Sequence, residues 1–110
     1  MTLEEFQKFI DEQDALFRSL RGMSESEREH MFSRTIKLGE EYGELCDAVL
    51  GSVGFQRKDK LAEEKREHLQ DEFADVLITT FLLAKAMDVD IMQSLDNKIR
   101  RIKEKHNKQL

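Results

Sequence analysis

Lys37-Leu38-Gly39-Glu40-Glu41-Tyr42-Gly43-Glu44-Leu45 and Asp71-Glu72-Phe73-Ala74-Asp75-Val76-Leu77 are the two stretches whose reading decides the fold. Each holds two carboxylates three residues apart, Glu41 with Glu44 and Glu72 with Asp75, inside a run of helical apolar spacing. On a helix, that spacing leaves side chains roughly 60° apart around the axis and about 4.5 Å apart along it, so both can reach one cation. Charged helices carry Glu-x-x-Glu by chance as solvated faces. These pairs, however, run straight into core-forming sequence, Leu45 to Leu50 and Val76 to Ala84. Two such helices side by side present four carboxylates to a shared point, where mutual repulsion makes a divalent cation the simplest neutralising partner.

Working outward, the chain predicts four helices and no strand, within one all-α domain over residues 1–110. The absence of proline and the presence of only five glycines agree with this. A capping box, Thr2 with Glu5, opens the first helix, which carries Leu3, Phe6, Phe9, Ile10, Leu16, Phe17 and Leu20 to a stop at Arg21-Gly22. Ser24 with Glu27, or Ser26 with Glu29, caps the second, expected to run to about Leu50 and to bury Phe32, Leu38, Tyr42, Leu45 and Val49. Gly51-Ser52-Val53-Gly54 is read as its stop, and residues 55–62 as a charged connector. The third helix covers roughly 62–87, with Leu69, Phe73, Val76, Leu77, Thr80, Leu83, Ala84 and Met87 at helical spacing. Asp90 with Gln93 caps the fourth, which shows Ile91, Leu95, Ile99 and Ile102 before a basic tail. Short connections make neighbours antiparallel, which places the two acidic motifs on adjacent helices of a four-helix bundle-type unit.

Composition narrows the function classes. A formal charge of −5 argues against a protein that coats nucleic acid, and the basic stretch from Lys98 to Lys108 lacks any base-reading module, so no specific nucleic-acid partner is expected. The single Cys46 forms no intrachain disulfide and reads as a small core residue. No signal-peptide pattern opens the chain and no apolar run is long enough for a bilayer, so a cytoplasmic, membrane-free protein is expected.

On helix two, Lys37 shares the acidic face with Glu41 and Glu44, and Glu40 borders it; on helix three, Thr79 lies one turn beyond Asp75. Carboxylates flanked by ammonium and hydroxyl groups suit Mg²⁺, which keeps several waters and completes its shell with phosphate oxygens. Glu27-x-x-His30 is half of a di-iron motif without a second copy, and His68 and His106 lack metal-ligand companions at suitable spacing.

The two quoted stretches closely resemble the MazG-like nucleotide pyrophosphohydrolases of the all-α NTP pyrophosphatase superfamily. The signature there is Glu-Glu-x-x-Glu, a variable spacer, then Glu-x-x-Asp; here 27 residues, Leu45 to Asp71, intervene. The resemblance covers about residues 30–105, with helix one as the leading helix. It implies that Glu41, Glu44, Glu72 and Asp75 bind Mg²⁺, with Mn²⁺ as a substitute. It also implies that Glu40, the first acid of the motif, orients or assists, and that a nucleoside triphosphate is cleaved between the α and β phosphates. Glu41 and Glu44 are the first candidates for the base that takes the water's proton. Relatives carry a basic-and-asparagine stretch ending in Arg-Tyr-Pro. Asn97-Lys98-Ile99-Arg100-Arg101 matches it in part and no Tyr-Pro follows, leaving Asn97, Lys98 and Arg101 as candidate phosphate contacts beside Lys37 and Thr79. Without tryptophan, base stacking falls to Tyr42 or to Phe6, Phe9, Phe17 or Phe32, for which core packing is the competing use. Apolar residues in excess of what one small bundle covers point to a homodimer or homotetramer. The resemblance implies the same, with pockets built partly from a neighbouring subunit. Two other readings remain: a phosphoribosyl-ATP pyrophosphohydrolase of the same fold, and a non-catalytic helical oligomerisation or regulatory module.

Overall fold

A computed structural model describes residues 1–21, 26–53 and 60–109. They form four helices, α1 (Leu3–Arg21), α2 (Glu27–Val53), α3 (Lys60–Ala86) and α4 (Ile91–Gln109), with no strand among the described residues. The all-α, four-helix expectation therefore holds. The caps follow the sequence: the amide of Glu5 donates to Thr2 Oγ1 at 3.1 Å, that of Glu29 to Ser26 Oγ at 3.1 Å, and that of Gln93 to Asp90 Oδ1 at 3.0 Å. Ser26 is thus the cap of α2, and Ser24 lies outside the described residues. Two boundaries differ from expectation. Gly51, Ser52 and Val53 continue α2 instead of stopping it, since Ser52 Oγ donates to the Val49 carbonyl and Gly51 is still helical. The basic tail is the last part of α4, whose C-terminal turn places His106 and Lys108 where the helix dipole favours positive charge. Gly54 and most of the expected connector lie outside the described residues.

The turn from α3 to α4 closes by a Schellman pattern: the Val89 amide donates to the Ala84 carbonyl at 2.9 Å and the Asp88 amide to Lys85 at 3.1 Å. Asp88 sits at φ 55°, the left-handed conformation that glycine adopts without steric cost. Asp88→Gly is accordingly expected to raise stability by about 0.5–1 kcal/mol, read as a higher midpoint in thermal or urea unfolding.

The core is small and lies between α1 and α3. Phe6, Ile10, Phe81 and Leu82 are buried, with Phe17, Ile78, Ile91 and Met92 packed against them. The Phe6 and Phe81 rings meet edge to face at 4.7 Å. α2 packs along α3, and its first turns are tied to α1 by charge instead of apolar contact. Asp14 accepts from His30 Nε2 at 3.1 Å and from Arg18 Nε at 2.9 Å, Arg18 also pairs with Glu27, and the Arg34 guanidinium lies 4.5 Å above the Phe17 ring. Both ends of the Glu27-x-x-His30 half-motif are thereby engaged by α1.

Much of the expected apolar burial does not occur within one chain. Phe32, Tyr42 and Val49 of α2, Phe73 and Leu77 of α3, Met87 in the turn after it, Leu95, Ile99 and Ile102 of α4, and Leu3, Phe9, Leu16 and Leu20 of α1 are exposed. The physical reason is geometric. α2 and α3 meet along the face that carries Arg34, Glu41, Glu72 and Thr79, all buried, so the flanking apolar stripes turn outward. α4 joins the core through Ile91 and Met92, and its described side chains beyond them, residues 93–108, are exposed. The radius of gyration, 17.7 Å, exceeds the roughly 13 Å of a compact domain of this length.

Candidate metal centre

Glu41 and Glu72 are the unusual residues of the α2–α3 contact: both carboxylates are buried, at 7% and 5% exposure. Each has one oxygen beside a nitrogen-bearing side chain four residues earlier on its own helix. Lys37 Nζ lies 3.2 Å from Glu41 Oε1, and His68 Nε2 lies 3.6 Å from Glu72 Oε1, too long for a hydrogen bond. The second oxygen of each, Glu41 Oε2 and Glu72 Oε2, is buried without a hydrogen-bond partner. Burying a carboxylate oxygen with nothing to replace its water is costly, and such atoms persist where another partner is expected.

Asp75 completes the set. One oxygen from each of Glu41, Glu72 and Asp75 lies within 4.8 Å of the others, and no other group of three or more metal-ligating side chains comes together among the described residues. Octahedral Mg²⁺ with oxygens at about 2.1 Å needs ligand separations of about 3 to 4.2 Å, which small side-chain rotations supply. Three hard carboxylate donors, two of which carry an oxygen with no hydrogen-bond partner, fit Mg²⁺ or Mn²⁺ and leave room in the shell for water and phosphate oxygens.

Glu44 stands at the rim, exposed, with its carboxyl held above the usual value of 4.5 by the negative charge of Glu41 and then of Glu72. Like charges therefore converge on one point from both helices. A carboxyl whose folded pKa is raised contributes stability below its unfolded pKa and loses it as pH rises through the folded value. Without metal, the protein is expected to lose stability over a pH window that opens near 4.5 and extends upward from there. Glu44→Gln should shrink that loss in thermal melts across the window, and Mg²⁺ should offset it in the wild type.

The other candidates fall in distinct places. Lys37 bridges Glu41 and, at 3.5 Å, the exposed Glu40, and its own pKa is raised, first by its hydrogen bond to Glu41. Thr79 is buried, but its hydroxyl donates to the Asp75 carbonyl at 2.8 Å, so it stiffens the helix behind Asp75. Asn97, Lys98 and Arg101 lie on the exposed length of α4, with Asn97 accepting from Gln93 Nε2 at 3.0 Å, and none is paired with the acids. Of the candidate stacking rings, Phe6 is core, Phe17 is covered by Arg34, Arg28 sits 5.3 Å over Phe32, and Phe9 and Tyr42 remain exposed. His68 is the contributor that spacing rules overlooked. Its signal was present in the sequence: it precedes Glu72 by four residues, just as Lys37 precedes Glu41.

No helix among the described residues is long and apolar enough to cross a membrane. Searches of curated proteins and of solved structures gave no match. The model of the MazG-like family matches residues 33–109, which take in most of α2, all of α3 and α4, and both acidic motifs. The chain therefore belongs to the MazG-like family, with its acidic cluster on α2 and α3, two of the helices the match spans.

Proposed function

We propose that this protein is a Mg²⁺-dependent nucleoside triphosphate pyrophosphohydrolase, which converts a ribo- or deoxyribonucleoside triphosphate and water to the monophosphate and pyrophosphate. The observation that carries the reading is the pair of buried carboxylates Glu41 and Glu72, each with one oxygen unpartnered, gathered with Asp75 where α2 meets α3. Family membership agrees with it. In this reading Glu41, Glu72 and Asp75 hold Mg²⁺, with Glu44 closing the set from the rim. When bound, the ion supplies charge neutralisation for the triphosphate and polarises the α-phosphoryl group.

The chain's own residues do the rest. Lys37 keeps one oxygen of Glu41 occupied, so the other points inward, and it adds positive charge beside the incoming phosphates. Glu44, exposed at the rim beside the three ligands, takes the proton of the attacking water. The new bond forms at the α-phosphorus, the bond from that phosphorus to the α–β bridging oxygen breaks, and pyrophosphate leaves with the bridging oxygen. Glu40 shares Lys37 with Glu41 and sets that ammonium's position. Asn97, Lys98 and Arg101, exposed along α4, are available to the phosphates of a nucleotide held by another copy of a homodimer or homotetramer. A cytoplasmic role in clearing unwanted nucleotides follows from such an activity.

The test is pyrophosphate release across a panel of NTPs, dNTPs and phosphoribosyl-ATP with and without Mg²⁺. Equimolar monophosphate and pyrophosphate, strictly dependent on the ion, are expected. Release of orthophosphate, or no turnover of any nucleotide together with no Mg²⁺-dependent thermal shift, would contradict the reading.

A further inference from the structure

Past the acids, α2 and α3 continue into an open cavity that the metal centre does not use. Asp47, Ala48 and Gly51 of α2 and Lys65 and His68 of α3 line it, and its volume is about 170 Å³. Asp47 and Gly51 stand three and seven residues after Glu44, and His68 and Lys65 stand four and seven before Glu72. Those steps keep each helix on the face that carries its acids, about 4 to 11 Å further along the axis. The cavity is smaller than the roughly 300–1,000 Å³ that encloses a drug-sized ligand, so it admits one flat ring system and not a whole nucleotide.

Charge decides which part of a nucleotide comes here. On the other side of Glu41, four and seven residues earlier, stand Lys37 and the buried Arg34. The β and γ phosphates carry most of the charge of a triphosphate, and they extend toward those cations. The cavity instead sets Asp47 beside Lys65, a carboxylate that would repel any phosphate placed there. With the α-phosphate at the acids, the sugar therefore carries the base into the cavity. Its walls then read that base. An ionised carboxylate accepts hydrogen bonds side by side and donates none, so Asp47 suits an edge with two adjacent N–H donors. Guanine has that edge, its ring N–H beside the 2-amino group, with a carbonyl next to it for the Lys65 ammonium. Adenine and cytosine set a bare ring nitrogen beside their amino group, and uracil and thymine flank their one N–H with carbonyls, so each turns lone pairs on Asp47. His68, its side chain 63% exposed, offers an imidazole face on which a base can lie. Gly51 keeps the floor clear, since a Cβ there meets no atom within 4 Å.

Resting on the pyrophosphohydrolase reading for the place of the phosphates, we propose that this cavity selects guanine nucleotides, with Asp47 reading the two N–H donors and Lys65 the carbonyl. The test is isothermal titration calorimetry of the full chain with Mg²⁺ and the α,β-methylene triphosphates of guanosine, inosine and adenosine, which cannot be cleaved between the α and β phosphorus. The guanosine compound is expected to bind best. Inosine, which lacks the 2-amino group, should bind about tenfold more weakly, and adenosine at least about thirtyfold more weakly. Asp47→Ala, at an exposed position, should cost the guanosine compound about tenfold or more and leave the adenosine compound unchanged. A residue serving the fold alone would not split the two. Gly51→Leu fills the cavity and favours the helix, so it should weaken all three by about tenfold or more while the Mg²⁺-dependent thermal shift persists. Equal binding of the three compounds, or wild-type affinity in Gly51→Leu, overturns the proposal. So does tighter binding of all three by Asp47→Ala, the signature of a phosphate beside Lys65. A guanosine preference without turnover of GTP itself supports the subsite and sinks the hydrolase reading. Turnover of GTP and ATP with equal affinities does the reverse.

Discussion

Replacing Glu72 by Gln is expected to lower pyrophosphate release by about three orders of magnitude, more than the 10- to 100-fold usual for a group that only orients a ligand. The same change should leave the metal-free protein at least as stable as the wild type. Glu72 is buried with one oxygen unpartnered, and its charge is one of the two that press on Glu44. An amide of the same shape removes that charge from a poorly solvated place while keeping the packing. Activity and apo stability should therefore move in opposite directions, which residues serving the fold alone do not do. Thermal melts with and without Mg²⁺, set beside turnover, read both quantities. The wild type should gain stability on adding the ion, and Glu72→Gln should gain little. A variant that melts well below the wild type without metal would mean that Glu72 serves the fold and not a cation.

The second large effect concerns the core. Phe81→Ala is expected to destabilise the protein by about 3–5 kcal/mol, the cost of emptying a well-packed aromatic site. Phe81 is one of four buried apolar residues in the α1–α3 core and meets Phe6 edge to face. With so small a core in each chain, a loss of that size is a large share of the 5–15 kcal/mol by which folded domains are stable. Urea unfolding should show the midpoint fall. A shift under 1 kcal/mol would mean that the stability of the chain resides elsewhere, in contacts between copies.

Helix number, cap residues and the adjacency of the two acidic motifs were legible in the sequence because they depend on local chemistry. Thr2, Ser26 and Asp90 each satisfy an amide three residues on, and short turns leave neighbouring helices little choice of partner. Which side of each helix is buried was not legible. Periodicity reports that Tyr42, Phe73, Leu77 and Ile99 form apolar stripes, but not whether the surface that covers them belongs to the same chain. The end of α2 was misread for a related reason. Gly51 looks like a terminator from its type alone, yet the helix continues past it to Val53. At the candidate centre, the spacing of Glu41 with Glu44 and of Glu72 with Asp75 was plain. That Glu41, Glu72 and Asp75 converge while Glu44 stays at the rim depends on the rotation of α2 against α3, which no count of residues contains. His68 is not legible from metal-ligand spacing because it stands beside one oxygen of Glu72 and is not among the three converging carboxylates.

The measurement that bears most directly on the central claim is anomalous diffraction from crystals of the protein grown with Mn²⁺. The account predicts an anomalous peak bounded by oxygens of Glu41, Glu72 and Asp75, with each of the two buried, unpartnered oxygens turned toward it. A Mn²⁺ peak elsewhere on the chain, with Glu41 Oε2 and Glu72 Oε2 still without a partner, would contradict it.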